Sequence, residues 1–371
     1  MSAAVDHGFL PSGRYIFNHD IMNCPAGGIA GNHLYSGRAL GLSQPWDIIQ
    51  LPSNLESDWP TILGHYERIG LSHTEHVIWD LSVDHLGAHI GYQPSVFYFG
   101  REECRCWGDS HWLETVEYIN SKNNFTTLAR ELGMDIPDTW CFDSVSHIEP
   151  DLLEETVFPC YLKAAVSIAG IGIYRCSNRF ELADAMGKID KGMPVQIQKE
   201  VRTESILNLQ YRVIDDELVR LAASEQILDG FVHQGNRAPA THEPWGAVDP
   251  MAHWLKDHGI KGIFAFDIAV VQTDQGLKFP AIECNPRYNW ATYPTLIARK
   301  LNIPEWRAIS LPTRYKKLSA IDLEDIEFDA ATGEGAIIIN WGTVSTGRIT
   351  ILMAGSQPYQ EALAIELEAR L

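Results

Sequence analysis

Residues 280–290 read PAIECNPRYNW, and an acid, an amide and a guanidinium occupy alternate positions in this stretch. Glu283, Asn285 and Arg287 would therefore project from one face of an extended strand. The apolar run GIFAFDIAVV at 262–271 comes before it and predicts that the stretch lies inside a sheet. Because a polar face inside a fold needs a partner, the alternation predicts a ligand site.

The composition of the 371 residues is that of an ordinary globular protein, with 45% hydrophobic and 21% charged residues. This length predicts two or three lobes that share a cleft. The formal net charge of −19 argues against a nucleic-acid partner, because such binding depends on Lys and Arg at phosphates. No apolar run approaches the roughly 20 residues that span a bilayer, and the first residues lack the features of a signal peptide. We therefore expect a cytoplasmic protein with no membrane partner.

Short apolar runs alternate with helix-like segments in the first hundred residues, which predicts a parallel α/β domain over residues 1–110. Three glycines of the first turn, Gly27, Gly28 and Gly31, lack the G-x-G-x-x-G spacing of a dinucleotide fingerprint. We interpret this segment as a tight strand-to-helix turn beside a substrate, and its role stays open.

The rest of the chain divides into two α+β lobes, which we place at residues 111–205 and 206–371. Residues 207–226 predict two antiparallel strands around a tight turn. Residues 335–356 predict a buried hairpin, and 358–371 predict a closing amphipathic helix.

A candidate phosphate-binding segment lies in the first of these lobes. Lys163 ends an apolar strand and is followed by Ser167, Gly170 and Gly172. Glycine lets backbone N–H groups fold around phosphates, so this order predicts a cation beneath a mobile glycine flap. A hairpin with a surface lysine is the alternative.

A candidate metal site lies in the second lobe. Asp267 would converge with Glu283 and Asn285 if their two strands pair. Magnesium prefers oxygen ligands and keeps several waters while it bridges to phosphates, so these three residues suit a magnesium ion that carries a nucleotide. A structural salt bridge among Asp267, Glu283 and Arg287 is the alternative, but it leaves Asn285 without a reason.

Taken in order, these segments resemble the ATP-grasp superfamily of carboxylate-amine ligases over about residues 112–355. The segment AIECNPR is similar to the family's metal-binding strand E-x-N-x-R, and Asp267 matches the acid on the preceding strand. The region before residue 112 resembles the domain that precedes the ATP-grasp core, and the C-terminal hairpin resembles that of peptide ligases of the pheganomycin-ligase type. The resemblance implies an ATP-grasp fold of mixed α/β and α+β class with an N-terminal parallel α/β domain.

The resemblance also implies the residues that bind ATP and magnesium. Lys122 and Lys163 match the two nucleotide lysines, segment 167–172 matches the flap over the phosphates, and segment 196–201 resembles the hinge that pairs with adenine. Glu204 matches the ribose ligand loosely. The implied ATP site comprises Lys122, Lys163, Ser167, Gly170, Gly172, Gln198, Lys199, Glu200, Val201 and Glu204, and the implied magnesium site, which Mn²⁺ would also fit, comprises Asp267, Glu283 and Asn285.

One position departs from a branch of the family. In D-alanine:D-alanine ligases an arginine stands two residues before the first metal acid, where this chain has Ala265. The catalytic cations implied here are then Arg287, which would steady an oxyanion, and Lys163. Arg212 and Arg237 are further candidates for that task.

Three residues are candidates for the substrate pocket. The resemblance alone places His233 and Asn236 near the site. Trp290 follows the metal strand and would line the acceptor pocket, with plain aromatic packing as an equal alternative.

The activity implied is an ATP-dependent ligase that joins a small carboxylate, such as an amino acid, to an amine through an acyl phosphate. An enzyme that modifies a protein or peptide acceptor is one alternative, and a nucleotide-binding regulator without turnover is another. The cofactors implied are ATP and Mg²⁺. The sequence leaves the two substrates, the pathway and the oligomeric state open, a homodimer being the commonest soluble oligomer.

Overall fold

The computed structural model describes residues 13–24, 31–149, 154–167, 172–230 and 232–371. These residues form a parallel sheet near the N-terminus, a small antiparallel sheet, and a large sheet that contains both predicted metal strands. No helix in the described ranges is long and apolar enough to cross a membrane.

The N-terminal region folds as the predicted parallel α/β domain. Its four described strands are hydrogen-bonded in the order β3-β2-β1-β4, and all three pairings are parallel. The elements up to residue 119 are β1 (Arg14–Asn18), a 3₁₀ helix (Asn32–Leu42), β2 (Ile48–Gln50), a second 3₁₀ helix (Ser53–Asp58), α1 (Trp59–Arg68), β3 (Val77–Ile78), α2 (Asp84–Ala88), β4 (Tyr92–Val96), α3 (Arg101–Trp107) and α4 (Ser110–Ile119).

The first 3₁₀ helix connects this domain to the C-terminal part of the chain. A Cβ at Gly37 would lie 3.0 Å from the ring of Trp341, and one at Gly41 would lie 2.6 Å from Ile297. The indole Nε1 of Trp341 also donates to the carbonyl of Gly37 at 2.8 Å. Glycine is therefore required for this close packing. Gly31 precedes the helix with φ of +70°, whereas Gly27 and Gly28 lie outside the described residues.

The small antiparallel sheet has the order β5-β8-β6-β7 in the described residues. It has a hydrophobic core of its own, in which Leu162 and Ile197 are fully buried. The elements of this region are α5 (Lys122–Glu131), β5 (Thr139–Phe142), a 3₁₀ turn (Val145–His147), β6 (Cys160–Ala164), β7 (Ile173–Cys176), α6 (Arg179–Gly187) and β8 (Val195–Lys199).

The large sheet has nine described strands in the order β13-β12-β9-β10-β11-β15-β17-β16, with β14 paired to β12. The predicted hairpin of β9 and β10 is confirmed, and Asp215 and Asp216 at its tip have φ of +47° and +65°. The predicted C-terminal hairpin and helix are also confirmed. The strands are β9 (Ser205–Ile214), β10 (Glu217–Asp229), β11 (Val232–Ala238), β12 (Gly262–Thr273), β13 (Gly276–Lys278), β14 (Ala281–Asn285), β15 (Trp306–Pro312), β16 (Gly335–Asn340) and β17 (Arg348–Ala354), and the helices are α7 (Asp249–Asp257), α8 (Thr292–Lys300) and α9 (Gln357–Arg370).

Strand β9 separates two environments in the large sheet. Its residues Leu207, Leu209 and Tyr211 are buried in a hydrophobic core together with α7. The alternate residues Asn208, Gln210 and Arg212 are equally buried but polar. Since alternate side chains of a strand point to opposite faces, one face of the sheet is apolar and the other carries buried polar groups.

Candidate active site

Two carboxylates face each other on the polar side of the large sheet. Asp267 on β12 and Glu283 on β14 are direct cross-strand partners, and so are Ala265 and Asn285. The predicted pairing of these strands is confirmed. Asn285 donates from Nδ2 to Asp267 Oδ2 at 3.2 Å, so the three predicted metal ligands lie together.

The expectation that Arg287 continues the same strand is wrong. Strand β14 ends at Asn285, because Pro286 has no N–H to donate to the ladder. The chain turns there, and the N–H of Arg287 donates to the carbonyl of Asn285 at 2.8 Å. The guanidinium of Arg287 lies 5.5 Å from the centre of the Phe97 ring, at the N-terminal domain.

The two carboxylates differ in charge state. Burial alone would raise the pKa of Glu283, but Lys122 and Lys163 outweigh it and hold that pKa at about 2. Lys122 Nζ lies 3.0 Å from Glu283 Oε2. Burial and the repulsion of Glu283 raise the pKa of Asp267 to about 7, although an amide hydrogen bond from Asn208 opposes this. Glu283 is therefore ionised beside two lysines, whereas Asp267 makes no ion pair among the described residues.

The two predicted nucleotide lysines lie beside these acids. Lys122 is the first residue of α5, and its N–H donates to the carbonyl of Ala165, just beyond β6, at 2.7 Å. Lys163 on β6 is buried and donates to Gln198 Oε1 at 2.6 Å. Burial lowers the pKa of Lys163 to about 8, an effect that Glu283 opposes and Lys122 reinforces.

The segment predicted to be a glycine flap, residues 167–172, comes after β6, and residues 168–171 lie outside the described residues. Gly172 has φ of +75°, and its carbonyl accepts from the N–H of Ala164 at 2.9 Å, which closes the base of the β6-β7 hairpin. Ser167 Oγ is buried and has no hydrogen-bond partner among the described residues. Gly170 lies outside those residues.

The segment predicted to be the adenine hinge, residues 196–201, forms most of β8 and continues two residues beyond it. The N–H of Lys199 donates to Asp138 O at 2.9 Å, and the N–H of Glu200 donates to Pro159 O at 3.0 Å. These two donors are engaged within the protein. The Glu200 carboxylate accepts two hydrogen bonds from Arg175, at 2.6 and 3.0 Å.

Val201 is the last residue of that segment, and Glu204 lies three residues beyond it. Val201 is half-buried, and Glu204 is exposed. The N–H of Glu204 donates to the carbonyl of Val270 on β12 at 2.9 Å, which attaches the start of β9 to the metal strand.

A row of polar side chains connects the metal strands to the predicted substrate residues. Asn208 donates to Asp267 Oδ1 at 2.7 Å and is the cross-strand partner of Ser224. Ser224 Oγ accepts from Asn236 Nδ2 at 3.1 Å, and Asn236 Oδ1 lies 2.8 Å from His233 Nε2. The structure thus brings His233 and Asn236 together, three strands away from Asp267.

Trp290 completes the end of this row. Its ring lies 5.2 Å from that of His233 in an edge-on arrangement. Burial lowers the pKa of His233, so the imidazole is neutral near pH 7.

Sequence reasoning missed Asn208 and Asn289. Asn289 Nδ2 donates to Asn208 Oδ1 at 3.3 Å and so supports the amide that holds Asp267. The signal for Asn208 was present in the segment NLQYR, where Asn208, Gln210 and Arg212 alternate with apolar residues in the same way as residues 283–287.

The two further arginine candidates do not join the carboxylates. Arg237 donates to Glu225 Oε1 at 2.6 Å. Arg212 lies on the same strand face as Asn208 but four residues along β9, about 13 Å away. Ala265, at the position of the family arginine, is fully buried between Gln210 and Asn285.

The donors of the site fit a magnesium ion. No group of three or more His, Cys, Asp and Glu suited to a metal occurs among the described residues, and the candidate site has two carboxylates and one amide oxygen. Hard cations of this kind need few protein oxygens, because waters and phosphates supply the rest. A divalent cation bound there would relieve the repulsion between the two facing carboxylates.

Solved structures resemble this chain over almost its whole length. One crystal structure of an N5-carboxyaminoimidazole ribonucleotide synthetase with ADP aligns over 96% of this chain and 97% of its own, with a TM-score of 0.63 at 12% identity. N5-carboxyaminoimidazole synthetase from Staphylococcus aureus with ADP covers the same shares, with a TM-score of 0.61 at 11% identity. L-amino acid ligase from Bacillus licheniformis covers 87% of this chain and 91% of its own, with a TM-score of 0.53 at 14% identity.

Neither a scan of family models nor a search of curated proteins finds a match to the sequence. The assignment of the fold therefore rests on the comparison with solved structures. The resembling structures are ATP-grasp proteins, and two of them align over 96% of this chain. This chain has the ATP-grasp fold.

Proposed function

We propose that this protein is an ATP-dependent carboxylate-amine ligase, which forms an amide bond through an acyl phosphate and releases ADP and phosphate. Its cofactors are ATP and Mg²⁺, and its substrates are a small carboxylate, such as an amino acid, and an amine. The structural neighbours support this class, since they include a synthetase bound to ADP and an L-amino acid ligase.

The observation that carries the proposal is the facing pair of Asp267 and Glu283, with Lys122 at 3.0 Å from Glu283. Two facing carboxylates repel each other when both are ionised, so a chain keeps such a pair where a ligand compensates the repulsion. Lys122 stands in the first turn of α5, where the helix dipole disfavours a cation. Both features are explained if a magnesium nucleotide binds between them.

The residues of the chain have distinct tasks in this reaction. Asp267, Glu283 and Asn285 would hold Mg²⁺, which when bound supplies positive charge to the phosphates of ATP. Lys122 and Lys163 neutralise the phosphate oxygens as the substrate carboxylate attacks. Arg287 steadies the oxyanion that develops when the amine attacks the acyl phosphate.

Exclusion of water is the other requirement, because water would hydrolyse the acyl phosphate. The hairpin of β6 and β7 carries the glycine flap, and its base is closed by the bond from Ala164 to Gly172. The flap covers the reacting groups when ATP is bound. His233, Asn236 and Trp290 lie at the far end of the polar row, where they contact the acceptor.

The test is release of ADP and phosphate from Mg-ATP with pooled amino acids as donors and acceptors, followed by mass spectrometry of the products. We expect ADP formation that depends on amino acids and a product mass equal to two substrates minus water. ADP without a condensed product would contradict the ligase assignment and indicate a kinase. ATP binding without turnover would indicate a regulator or a macromolecular acceptor.

The Glu283→Gln variant tests whether that activity arises at the proposed site. The variant keeps the size of the side chain but removes the charge that faces Asp267 and Lys122, so turnover should fall by at least about 100-fold. Glu324→Gln is the matched control, because Glu324 is an exposed surface glutamate whose side chain is 70% accessible. Wild-type turnover in Glu283→Gln would exclude the metal assignment.

A further inference from the structure

A cavity lies between the N-terminal domain and the large sheet, next to the end of the predicted metal strand β14. Its volume is about 440 Å³, within the range of small-molecule sites. One wall is strand β4 with Phe97 and Phe99, and the opposite wall is the end of β9 with the start of β12. We call this space the Arg212 chamber, after the cation on its β9 wall.

Arg212 is a buried cation on which Asp215 acts electrostatically but without an ion-pair contact. Its side chain is 3% exposed, and Nη2 has no hydrogen-bond partner. No carboxylate among the described residues forms an ion pair with it. Burial lowers the pKa of its guanidinium, which is the effect of removing a cation from water without pairing it. An unpaired donor in such a position is explained by an anionic ligand.

The other charges of the chamber are largely engaged. Lys256 lies 3.4 Å from Asp216, and Lys261 pairs with Asp109. Among the described lining residues this leaves Arg212, Arg287 and Asp215. Their formal charges sum to one positive charge, which favours a ligand that carries one negative charge.

The walls beside Arg212 are aromatic. Phe99 and Trp112 stack with ring centres 3.8 Å apart, and both line the chamber together with Tyr15, Phe97 and Tyr288. Aromatic surfaces of this extent suit a flat or apolar body. The ligand that fits both features is a small carboxylate with an apolar group.

We propose that the Arg212 chamber binds a small aromatic carboxylate, with the carboxylate on Arg212 and the ring against the Phe99 and Trp112 side. Arg287 connects this chamber to the metal site, because it lines the chamber while its charge acts on Asp267 and Glu283. Binding in the chamber does not depend on the proposed ligase activity. Only the use made of the bound molecule rests on that activity.

The test is isothermal titration calorimetry of the nucleotide-free protein with phenylacetate and indole-3-acetate, each compared with its uncharged amide. We expect saturable binding of at least one acid and at least about tenfold weaker binding of its amide, because the amide carries no charge for the guanidinium. This comparison needs no variant. Equal affinity for acid and amide, or no saturable binding of either acid, would overturn the proposal.

Arg212→Gln locates the binding. This substitution should lower the affinity for the acid by at least about tenfold and leave the affinity for ATP unchanged. Arg220→Gln is the control, because Arg220 lies on the neighbouring strand β10 and pairs with Asp249 at the surface. Full affinity for the acid in a folded Arg212→Gln protein would place the binding elsewhere and reject the chamber.

The ligase assay then distinguishes two roles of the bound acid. An acid consumed with ADP formation is a substrate, and an acid that changes the rate without being consumed is an effector. Failure of the ligase proposal would appear as absent ATP turnover, whereas failure of the chamber would appear in the titrations without ATP.

Discussion

Asp267 and Glu283 are cross-strand neighbours of similar chemistry, yet their pKa values shift in opposite directions. The difference arises from their partners. Glu283 has the ammonium of Lys122 at 3.0 Å, whereas Asp267 receives only amide hydrogen bonds from Asn208 and Asn285. Burial and the repulsion from Glu283 therefore outweigh these amide bonds and the more distant charge of Arg287 at Asp267.

Lys163→Met should weaken ATP binding while the fold is retained. Methionine fills the buried volume next to Gln198 but lacks the charge that faces the phosphates, so we expect an increase in the Kd for ATP of at least about tenfold. The measurement is a calorimetric titration with Mg-ATP. Lys188→Met, directly after α6, is the control, because Lys188 is exposed and pairs with Asp184. An unchanged ATP titration would remove Lys163 from the phosphate site.

Asn208→Leu should raise the magnesium requirement, because Asn208 orients Asp267 without being a predicted ligand itself. Residues that orient metal ligands typically contribute about 10- to 100-fold to metal affinity. The measurement is ATP turnover against Mg²⁺ concentration, with the melting temperature as a check on folding. A lower maximal rate at an unchanged Mg²⁺ midpoint would indicate a role other than positioning of Asp267.

Individual strands explain why one part of the site was predicted and another was not. The period-two pattern of residues 281–285 predicted side-chain directions correctly, because these depend only on the local backbone. The same pattern does not hold at Arg287, because Pro286 ends the hydrogen-bonded ladder before that residue. Strand β9 carries an equal pattern, but its length of ten residues extends from the metal site to the Arg212 chamber.

The last residue of helix α8 hydrogen-bonds to the N-terminal domain. Lys300 near its end donates to the carbonyls of Gly41, Ser43 and Ser72 at 3.1, 2.7 and 2.6 Å. Lys300→Met would leave these acceptors without that donor, so we expect a loss of about 2 to 4 kcal/mol in the free energy of unfolding.

Urea denaturation followed by circular dichroism measures this loss. Lys278→Met on the edge strand β13 is the control, because Lys278 is exposed. A loss equal to that of the control would show that the three bonds contribute no net stability.

The largest buried cluster among the described residues contains side chains from both ends of the chain. Phe17 and Ile49 of the N-terminal sheet belong to the same buried cluster as Ile337 and Leu352 of the C-terminal hairpin. The small antiparallel sheet has a separate core. The N-terminal domain is therefore part of the structure that holds the large sheet, while the small sheet carries the flap on an independent support.

A contact between the two ends of the chain makes stability depend on pH. His65 on α1 accepts from the N–H of Ile338 at its Nε2 atom, so Nδ1 carries the proton and donates to Glu327 at 2.6 Å. Arg68 donates twice to the same carboxylate, at 2.7 Å. Burial would raise the pKa of Glu327, but these bonds hold it at about 2, while burial lowers the pKa of His65.

Both groups should destabilise the fold in acid. The unfolded chain binds more protons than the folded chain once the pH falls below about 6.5 for His65 and about 4.3 for Glu327. The stabilisation from Glu327 is complete above pH 4.3 and is lost as the pH falls towards 2. Its total is about 2 to 3 kcal/mol.

Melting temperatures of the wild type and of Glu327→Gln between pH 7 and pH 2 test this linkage. The difference between the two proteins should shrink as the pH falls below about 4. Glu324→Gln should follow the wild type. A constant difference across this range would mean that Glu327 has the same pKa in the folded and unfolded chains.

Local pattern was sufficient to predict the parallel N-terminal sheet, the hairpin of β9 and β10, the C-terminal hairpin and the pairing of β12 with β14, because periodicity and turn residues act within a few positions along the chain. The contacts of Lys122 with Glu283, of Asn208 with Asp267 and of Phe97 with Arg287 depend on the order of strands and on how the lobes pack. Side chains from distant segments meet only in the folded chain, so the charge balance of the site and the unpaired Arg212 were decided by tertiary structure.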